Sequence, residues 1–597
     1  ETNSMTDYQA PLKDMNFVLN ELVKLNELST IPGYEEAVPE LASCILDEAA
    51  KLAGDVISPL NAYGDMQGVK VHNKDEVIIP DGFKEAYQQF ADGGWGSLQF
   101  EPNYGGQGLP FALAIPVQEM WHSANMAWGL CPLLTQGAIE AIQANASEGL
   151  KSRYLPQMIA GRWSGTMNLT EPQSGSDMAT LRTRAERDGE HYRITGQKIF
   201  ITWGEHDMVE NIVHLVLARL PDAPPGVKGI SLFIVPKFLV NDDGSLGERN
   251  DCHVVSLEHK IGIHASPTCI MSYGDNGGAI GYLVGEENKG LACMFSMMNN
   301  ARLTVGLQGV AIAERSYQLA RDYAKERPQG IAPGESDFGM IIKHPDVRRM
   351  LMTMRSLTEA SRALTYLACS SVDYQEKHPD ENVRRHHKAR AALLTPVVKG
   401  WSTEVGLEVT SIGVQVHGGM GFIEETGAGQ YYRDARILPI YEGTNGIQAL
   451  DLVARKTLFD QGAAMDSLLQ EMRALVTDIE QSSSTLKDES AAFSLAVEAL
   501  AEAKALLLEK AKGDINWSGS VSFNYLMLMG AVCGAWQMLT AAQVAEAKLA
   551  SQDNDTPFYT AKLTTARFYF DQILPRYLSH AAMIKTGSKA IMAMDEE

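Results

Sequence analysis

No two cysteines stand in CxxC spacing, and the odd seven lie scattered at positions 44, 131, 252, 269, 293, 369 and 533. That scatter excludes a disulfide framework and reads as reduced thiols in a cytosol-like compartment. Positive charge is in deficit, with a formal net charge of −23. Nucleic acid and anionic membrane surfaces are negative themselves, so the charge argues against non-specific binding to either, but not against a small basic groove for an anionic cofactor. The N-terminus has no basic start followed by an apolar run, so no signal peptide is expected, and residues 1–4 read as a tag remnant ahead of Met5. There is no GxGxxG after a strand, no GxxxxGK[ST], no HExxH and no serine nucleophile elbow. Histidines and cysteines do not cluster at metal spacing. His386 and His387 are adjacent, cannot share a helix face, and are expected to be solvated in their Arg-rich run. Charge itself is missing from Ile515 to Ala545. That stretch is long enough to consider as a membrane span. However, Asn524, Gln537 and Thr540 interrupt it and no basic cluster flanks it. Gly530 and Gly534 make a small face for close packing, so a buried bundle helix is expected and no transmembrane segment.

The 597 residues leave room for roughly three or four domains, and 45% hydrophobic with 21% charged residues is an ordinary globular balance. Residues 8 to 160 show apolar positions at three- and four-residue spacing, a helical pattern. From 165 to 285 the texture changes to short runs such as "HYRITGQKIFIT", "NIVHLVLARL" and "KGISLFIVPKFLV", separated by Gly, Pro, Asn and Asp, which reads as all β. Helical periodicity then returns and continues, with "QSSSTLKDES" at 481–490 read as a loop. The expected fold class is therefore α+β with segregated layers. The expected domains are helical 1–164, β-barrel 165–285, helical 286–460 and an additional helical domain 461–597.

Two loops and one turn carry polar chemistry. "LTEPQSGSDMATLRT", 169 to 183, is a Ser/Gly/Thr loop leading out of a strand, and its hydroxyls could simply cap its own backbone. In "GQKIFITWGEHD", Phe200 and Thr202 are two apart on a strand and are expected on one face, where they could cover and hydrogen-bond a planar ring. "PIYEGTNGIQALD" sets one carboxylate, Glu442, beside Gly443. Turns usually use Asp or Asn, so the Glu is either an idle solvated side chain or a base placed where backbone approaches a ligand.

These segments, with the "NNAR" helix and "QVHGGMGF", resemble the acyl-CoA dehydrogenase family in order over residues 35 to 460. The C-terminal helices and the "DYQAPLKDMNFVLNEL" start resemble its longer bacterial subgroup, which includes fatty acyl-CoA and methylthiopropanoyl-CoA dehydrogenases. The resemblance implies a helical domain, a β-barrel and a second helical domain, with FAD as cofactor. It implies α,β-dehydrogenation of a saturated fatty acyl-CoA in β-oxidation, with methylthiopropanoyl-CoA as the alternative substrate. Glu442 would be the base for the α-proton, with Gly443 keeping side-chain bulk off the thioester and Tyr441 lining its pocket. Thr170 and Thr202 would bond the flavin, Phe200 would flank it where the family often has tryptophan, and Ser176 would lie between cofactor and CoA. Arg327 matches the pyrophosphate arginine, although "RPQGIAPG" follows it instead of "RKTFG". Gln415, Gly418 and Gly419 match the segment that reaches a partner subunit's FAD, and Thr444 the adenine-side threonine. At the CoA position Asn299 replaces a common acidic residue, while Arg302 is retained. A cytoplasmic homodimer passing electrons to an electron-transferring flavoprotein is implied, with peripheral membrane contact left open. An acyl-CoA oxidase uses similar chemistry. A DNA-binding flavoprotein of this fold would need a basic C-terminal surface, whereas acidic residues outnumber basic ones over 461–597.

Overall fold

The computed structural model describes residues 8–552 and 555–597, so the tag reading of residues 1–4 and the Met5 start lie outside the described residues. The chain divides into two compact units. One comprises residues 8–50, 110–123 and 302 onward, and the other residues 51–109 and 124–301.

The second unit holds the β layer. Its strands run from Trp163 to Val284, as the texture of the sequence leads one to expect. The hydrogen-bonded order is Cys252–Leu257, Thr268–Tyr273, His191–Thr202, Ala279–Val284, Ile230–Pro236, Asn211–Arg219, Trp163–Asn168. Arg184–Asp188 pairs with both His191–Thr202 and Asn211–Arg219, which closes five strands into a ring. Every residue of Ile230–Pro236, and all of Asn211–Arg219 but the last, is buried. Such continuous apolar runs belong to strands covered on both faces. Ile139 and Ile142 from the Met126–Asn145 helix and Leu155 and Met158 from Glu148–Ile159 share a core with Trp163, Leu215, Leu232 and Ile234. The helical reading of residues 8 to 160 misses one feature: Lys70–Asn73 and Glu76–Ile78 form a small antiparallel hairpin. Strands of this length are too short to show alternation.

The first unit is helical. The Trp517–Ala550 helix is long and apolar enough to span a membrane, and 89% of its apolar window is buried inside the protein. It packs as a bundle helix. A Cβ at Gly530 would stand 2.2 Å from Cγ of Trp401, and one at Gly534 2.3 Å from the Tyr569 hydroxyl oxygen. Gly530→Ala is therefore expected to destabilise this unit by about 1–3 kcal/mol through overpacking against a ring that is itself buried. An unchanged denaturant midpoint would show that Trp401 can yield. The loop read at 481–490 is shorter, because the Lys487–Lys510 helix starts at Lys487, with Asp488 and Glu489 favourably placed in its first turn.

A buried ionic network joins five helices of this unit. Arg362, on Pro345–Lys377, reaches Asp14 at 2.7 Å, Glu119 at 3.0 Å and Glu314 at 2.8 Å. Lys562, on Thr556–Phe568, bridges Asp14 and Glu359, and Tyr366 donates to Glu119 at 2.8 Å. All seven cysteines are free thiols, and only Cys44 is exposed. His387 departs from the expected solvation. It is half-buried, stacks on Tyr374 at 4.4 Å, pairs with Ser371 at 3.1 Å, and has its pKa lowered to about 4 by burial. His386 is exposed.

Candidate functional site

The site residues read from the sequence fall into two sets. Glu442, Tyr441, Gly443, Thr444, Arg302, Arg327, Gln415, Gly418 and Gly419 lie in the helical unit, and Thr170, Ser176, Phe200, Thr202 and Asn299 in the β-containing one.

In the helical unit the backbone of the 439–445 turn is unusual. Glu442 has φ +58° and Gly443 φ +82°. A glutamate in the left-handed region is rare enough to point to function. The turn is closed by Asn445 N–H donating to the Pro439 carbonyl at 2.9 Å, and Thr444 caps the following Asn445–Val453 helix by accepting from Ile447 N–H at 3.3 Å. Gln448 donates to the carbonyls of Glu442 and Gly443 at 3.2 and 3.1 Å. Gly443 is required both by its φ and by space, since a Cβ there would stand 2.9 Å from the Gln448 amide nitrogen and 3.6 Å from Arg302.

Glu442 is half-buried as a residue, yet its carboxylate lies deep enough in protein for burial to raise its pKa. Lys399 first and Arg302 second oppose that rise. Among the described residues, nothing donates a hydrogen bond to the carboxylate, and no acceptor takes the backbone N–H of Glu442 or Gly443. Arg302 is buried and pairs with Asp451 at 3.4 Å. The Tyr441 hydroxyl donates to Gln308, whose amide lies 3.5 Å from the buried, neutral His122. The turn therefore presents a carboxylate with no hydrogen-bond donor and two backbone N–H groups with no acceptor among the described residues.

The other helical-unit residues differ in exposure. Arg327, Gln415, Gly418 and Gly419 are exposed, and Gly418 has φ +59°. Met420 and Phe422 beside them are exposed large apolar side chains.

In the β-containing unit, Phe200 and Thr202 do not follow simple alternation. Lys198 pairs with Met271 and Ile201 with Cys269, so two residues oppose one and the strand bulges at Ile199–Phe200. The shared face inferred from two-residue spacing is not fixed by the pleat. What the bulge does is hold Phe200 outward at φ +58° and 58% exposed, with Trp203 also left-handed and pinned by its indole N–H to the Ala127 carbonyl at 3.0 Å. Thr202 and Thr170 are half-buried, while Ser176 and Asn299 are exposed.

A buried pair, not singled out from the sequence, organises this loop. Lys198 donates to Glu171 at 2.7 Å and to the Leu169 carbonyl at 3.1 Å. Glu171 also accepts from Arg182 N–H at 2.7 Å and from the Thr183 hydroxyl at 2.8 Å. The Thr170 carbonyl accepts Ile199 N–H at 2.9 Å. Thr170 is thus positioned from both sides. Met294 and Met297 are core residues here, and a Cβ at Gly137 would stand 2.7 Å from the Met297 terminal methyl.

Family models match four consecutive stretches: the acyl-CoA dehydrogenase N-terminal domain over 44–162, the middle domain over 166–275, the C-terminal domain over 288–458, and an acetyl-CoA dehydrogenase C-terminal-like domain over 468–595. The chain is 47% identical to 3-methylmercaptopropionyl-CoA dehydrogenase of Ruegeria pomeroyi, covering 98% of this chain and 99% of that one. It is 35% identical to a butyryl-CoA dehydrogenase of Syntrophomonas wolfei, with 99% of each covered. An acyl-CoA dehydrogenase of Bacillus anthracis, solved complexed with FAD, shares the fold at a TM-score of 0.73 and 21% identity, covering 98% of this chain and 92% of that one.

Proposed function

The chain belongs to the acyl-CoA dehydrogenase family, and from that premise we propose that it forms the α,β double bond of a short linear acyl-CoA, 3-methylmercaptopropionyl-CoA first, with Glu442 as the base. One observation carries the assignment of the base: a carboxylate with no hydrogen-bond donor, raised in pKa by burial, on a left-handed turn. A desolvated carboxylate is a stronger base than one in water, and its lone pairs are free for the incoming proton. The developing enolate oxygen needs a donor, and the Glu442 N–H is one without an acceptor. Lys399 and Arg302 oppose the rise in its pKa and favour the ionised carboxylate.

The β-containing unit fits a flavin. An aromatic held outward on a bulge, a threonine at the strand end and a threonine in a pinned loop are the groups that cover and hydrogen-bond a planar heteroaromatic ring. Thr170, Thr202 and Phe200 would hold the FAD ring, Ser176 would lie towards the CoA, and Arg327 and Thr444 would take the pyrophosphate and adenine side. FAD, when bound, supplies the acceptor for the β-hydride. Gln415, Gly418 and Gly419, exposed beside Met420 and Phe422, suit a homodimer in which this segment completes the neighbour's cofactor site. Asn299 and Arg302 would face the CoA end. Electrons pass onward to an electron-transferring flavoprotein in the cytoplasm on this reading, and slow reoxidation of the reduced enzyme by oxygen would separate it from an oxidase.

The substrate proposal is supported by the 47% identity over nearly the whole of both chains. Flavin bleaching across a panel of acyl-CoAs tests it. Turnover per unit KM is expected to be at least about tenfold higher, or ~1.4 kcal/mol, for 3-methylmercaptopropionyl-CoA than for palmitoyl-CoA, with butyryl-CoA between. Equal or better use of palmitoyl-CoA would restore the fatty acyl reading.

A further inference from the structure

We infer that Lys399 is a positioning residue for the base: its buried ammonium holds Asn445, whose backbone N–H closes the turn that carries Glu442, and so ties a positive charge to that turn. The inference rests on Glu442 being the base.

Lys399 lies on the Glu381–Val416 helix and is fully buried. Among the described residues its ammonium has one hydrogen-bond acceptor, Asn445 Oδ1 at 3.0 Å. Asn445 in turn donates to the Gly400 carbonyl at 3.2 Å, the Thr403 hydroxyl at 2.9 Å and Glu404 at 3.0 Å, while its backbone N–H closes the turn on Pro439. The asparagine is therefore fixed from the helix side, and the turn that carries Glu442 is fixed with it.

The ammonium pairs with a neutral oxygen, so its charge is not cancelled at contact distance. A buried cation in that state is costly unless a carboxylate nearby uses its field. The charged groups facing it come from several elements. Glu442 on the turn and Glu404 on its own helix attract it, and Arg302 on the Gly290–Glu326 helix repels it. Arg302 is paired with Asp451, which also lies 3.8 Å from Arg455. Tyr441 faces Glu442 and is turned to Gln308. Of the two cations that hold Glu442 down, Arg302 shares its charge with Asp451, whereas Lys399 has no carboxylate in contact. Burial brings Lys399 itself to about 7, and the two carboxylates oppose that fall.

The sign follows. Burial raises Glu442 and Lys399 lowers it, so removing the lysine charge must move Glu442 protonation to higher pH. Lys399→Gln keeps a donor for Asn445 and drops the charge, and Lys399→Arg keeps the charge. The acid-side midpoint of flavin reduction is expected to rise by about one pH unit in Lys399→Gln and to stay near the parent's in Lys399→Arg. An infrared titration of the Glu442 carboxyl without substrate, isolated by subtracting the Glu442→Gln spectrum, should move by the same amount. Lys399→Met serves as a second neutral variant should the glutamine not fold. An unmoved midpoint in a folded, FAD-loaded neutral variant overturns the inference, as does an arginine variant that shifts like the glutamine. If Glu442→Gln keeps its rate, the proposed function itself fails. If Glu442→Gln is inactive and the Lys399 midpoint is unmoved, only the role of Lys399 falls.

Discussion

Glu442→Gln is expected to slow flavin reduction by saturating substrate by about 10⁴-fold or more, while FAD and acyl-CoA still bind. The substitution keeps side-chain volume and removes the basic oxygen. Among the described residues no hydrogen bond depends on that oxygen, and the turn is held by Gln448 and Asn445 through backbone atoms and neighbours, although Lys399 loses an attracting charge. The variant should therefore fold as the parent does. Positioned proton transfer alone is worth about 10²–10⁴-fold, and the upper end applies because the described residues around Glu442 offer no second carboxylate without a partner. Glu404 bonds Asn445 and Asp451 pairs with Arg302. Stopped-flow bleaching reads the step directly, as does exchange of α-hydrogens in deuterated water. A folded, FAD-loaded Glu442→Gln that bleaches within about tenfold of the parent would remove Glu442 from the mechanism.

The second large effect is on stability. Arg362→Met is expected to cost the helical unit about 3–5 kcal/mol, because it leaves Glu119 and Glu314 in the interior without a cation and Asp14 with Lys562 alone. The guanidinium is fully buried and makes charge-assisted bonds to all three carboxylates. Methionine fills similar volume, so the loss reports charge and not a cavity. Glu119 is already raised in pKa by burial despite Arg362, and without the arginine it must take up a proton or admit water. Hydrogen exchange within the Pro345–Lys377 helix measures the change locally. A loss below about 1 kcal/mol would mean that Lys562 redistributes to cover the carboxylates.

Much of this was legible in the sequence, for identifiable reasons. The β layer announces itself through β-branched runs separated by turn residues, whereas the turn at Glu442 taken alone reads as a solvated carboxylate, and only the family resemblance singles it out. The hairpin at Lys70–Ile78 was hidden by strands of four and three residues. The bulge at Phe200 was hidden because pleat alternation assumes an unbroken ladder, and only the partner strand shows that two residues oppose one. Glu171 and Lys198 are 27 positions apart and meet only once the strands are paired. Lys399 did leave a signal. It is the single charge in "AALLTPVVKGWST", 391 to 403, and a lone lysine in so apolar a helical run must find something inside to face. His387 misled because its neighbours in sequence are charged, whereas its neighbour in space is Tyr374.

The five-helix ionic network also sets a timetable for synthesis. Asp14 and Lys562, which bond one another at 2.5 Å, are 548 positions apart in the chain. At about 5–20 residues per second, a ribosome takes roughly half a minute to two minutes to deliver the second after the first. Throughout that interval Asp14, Phe17 and Leu19 wait without the Thr556–Phe568 helix whose Phe558 packs edge-on against Phe17. The β-containing unit, complete by residue 301, can close meanwhile. A nascent chain stalled short of Lys562 would thus carry a finished β layer and an unfinished helical unit, with Asp14, Glu119 and Glu314 sharing one arginine and an apolar N-terminal helix exposed to whatever protects emerging chains.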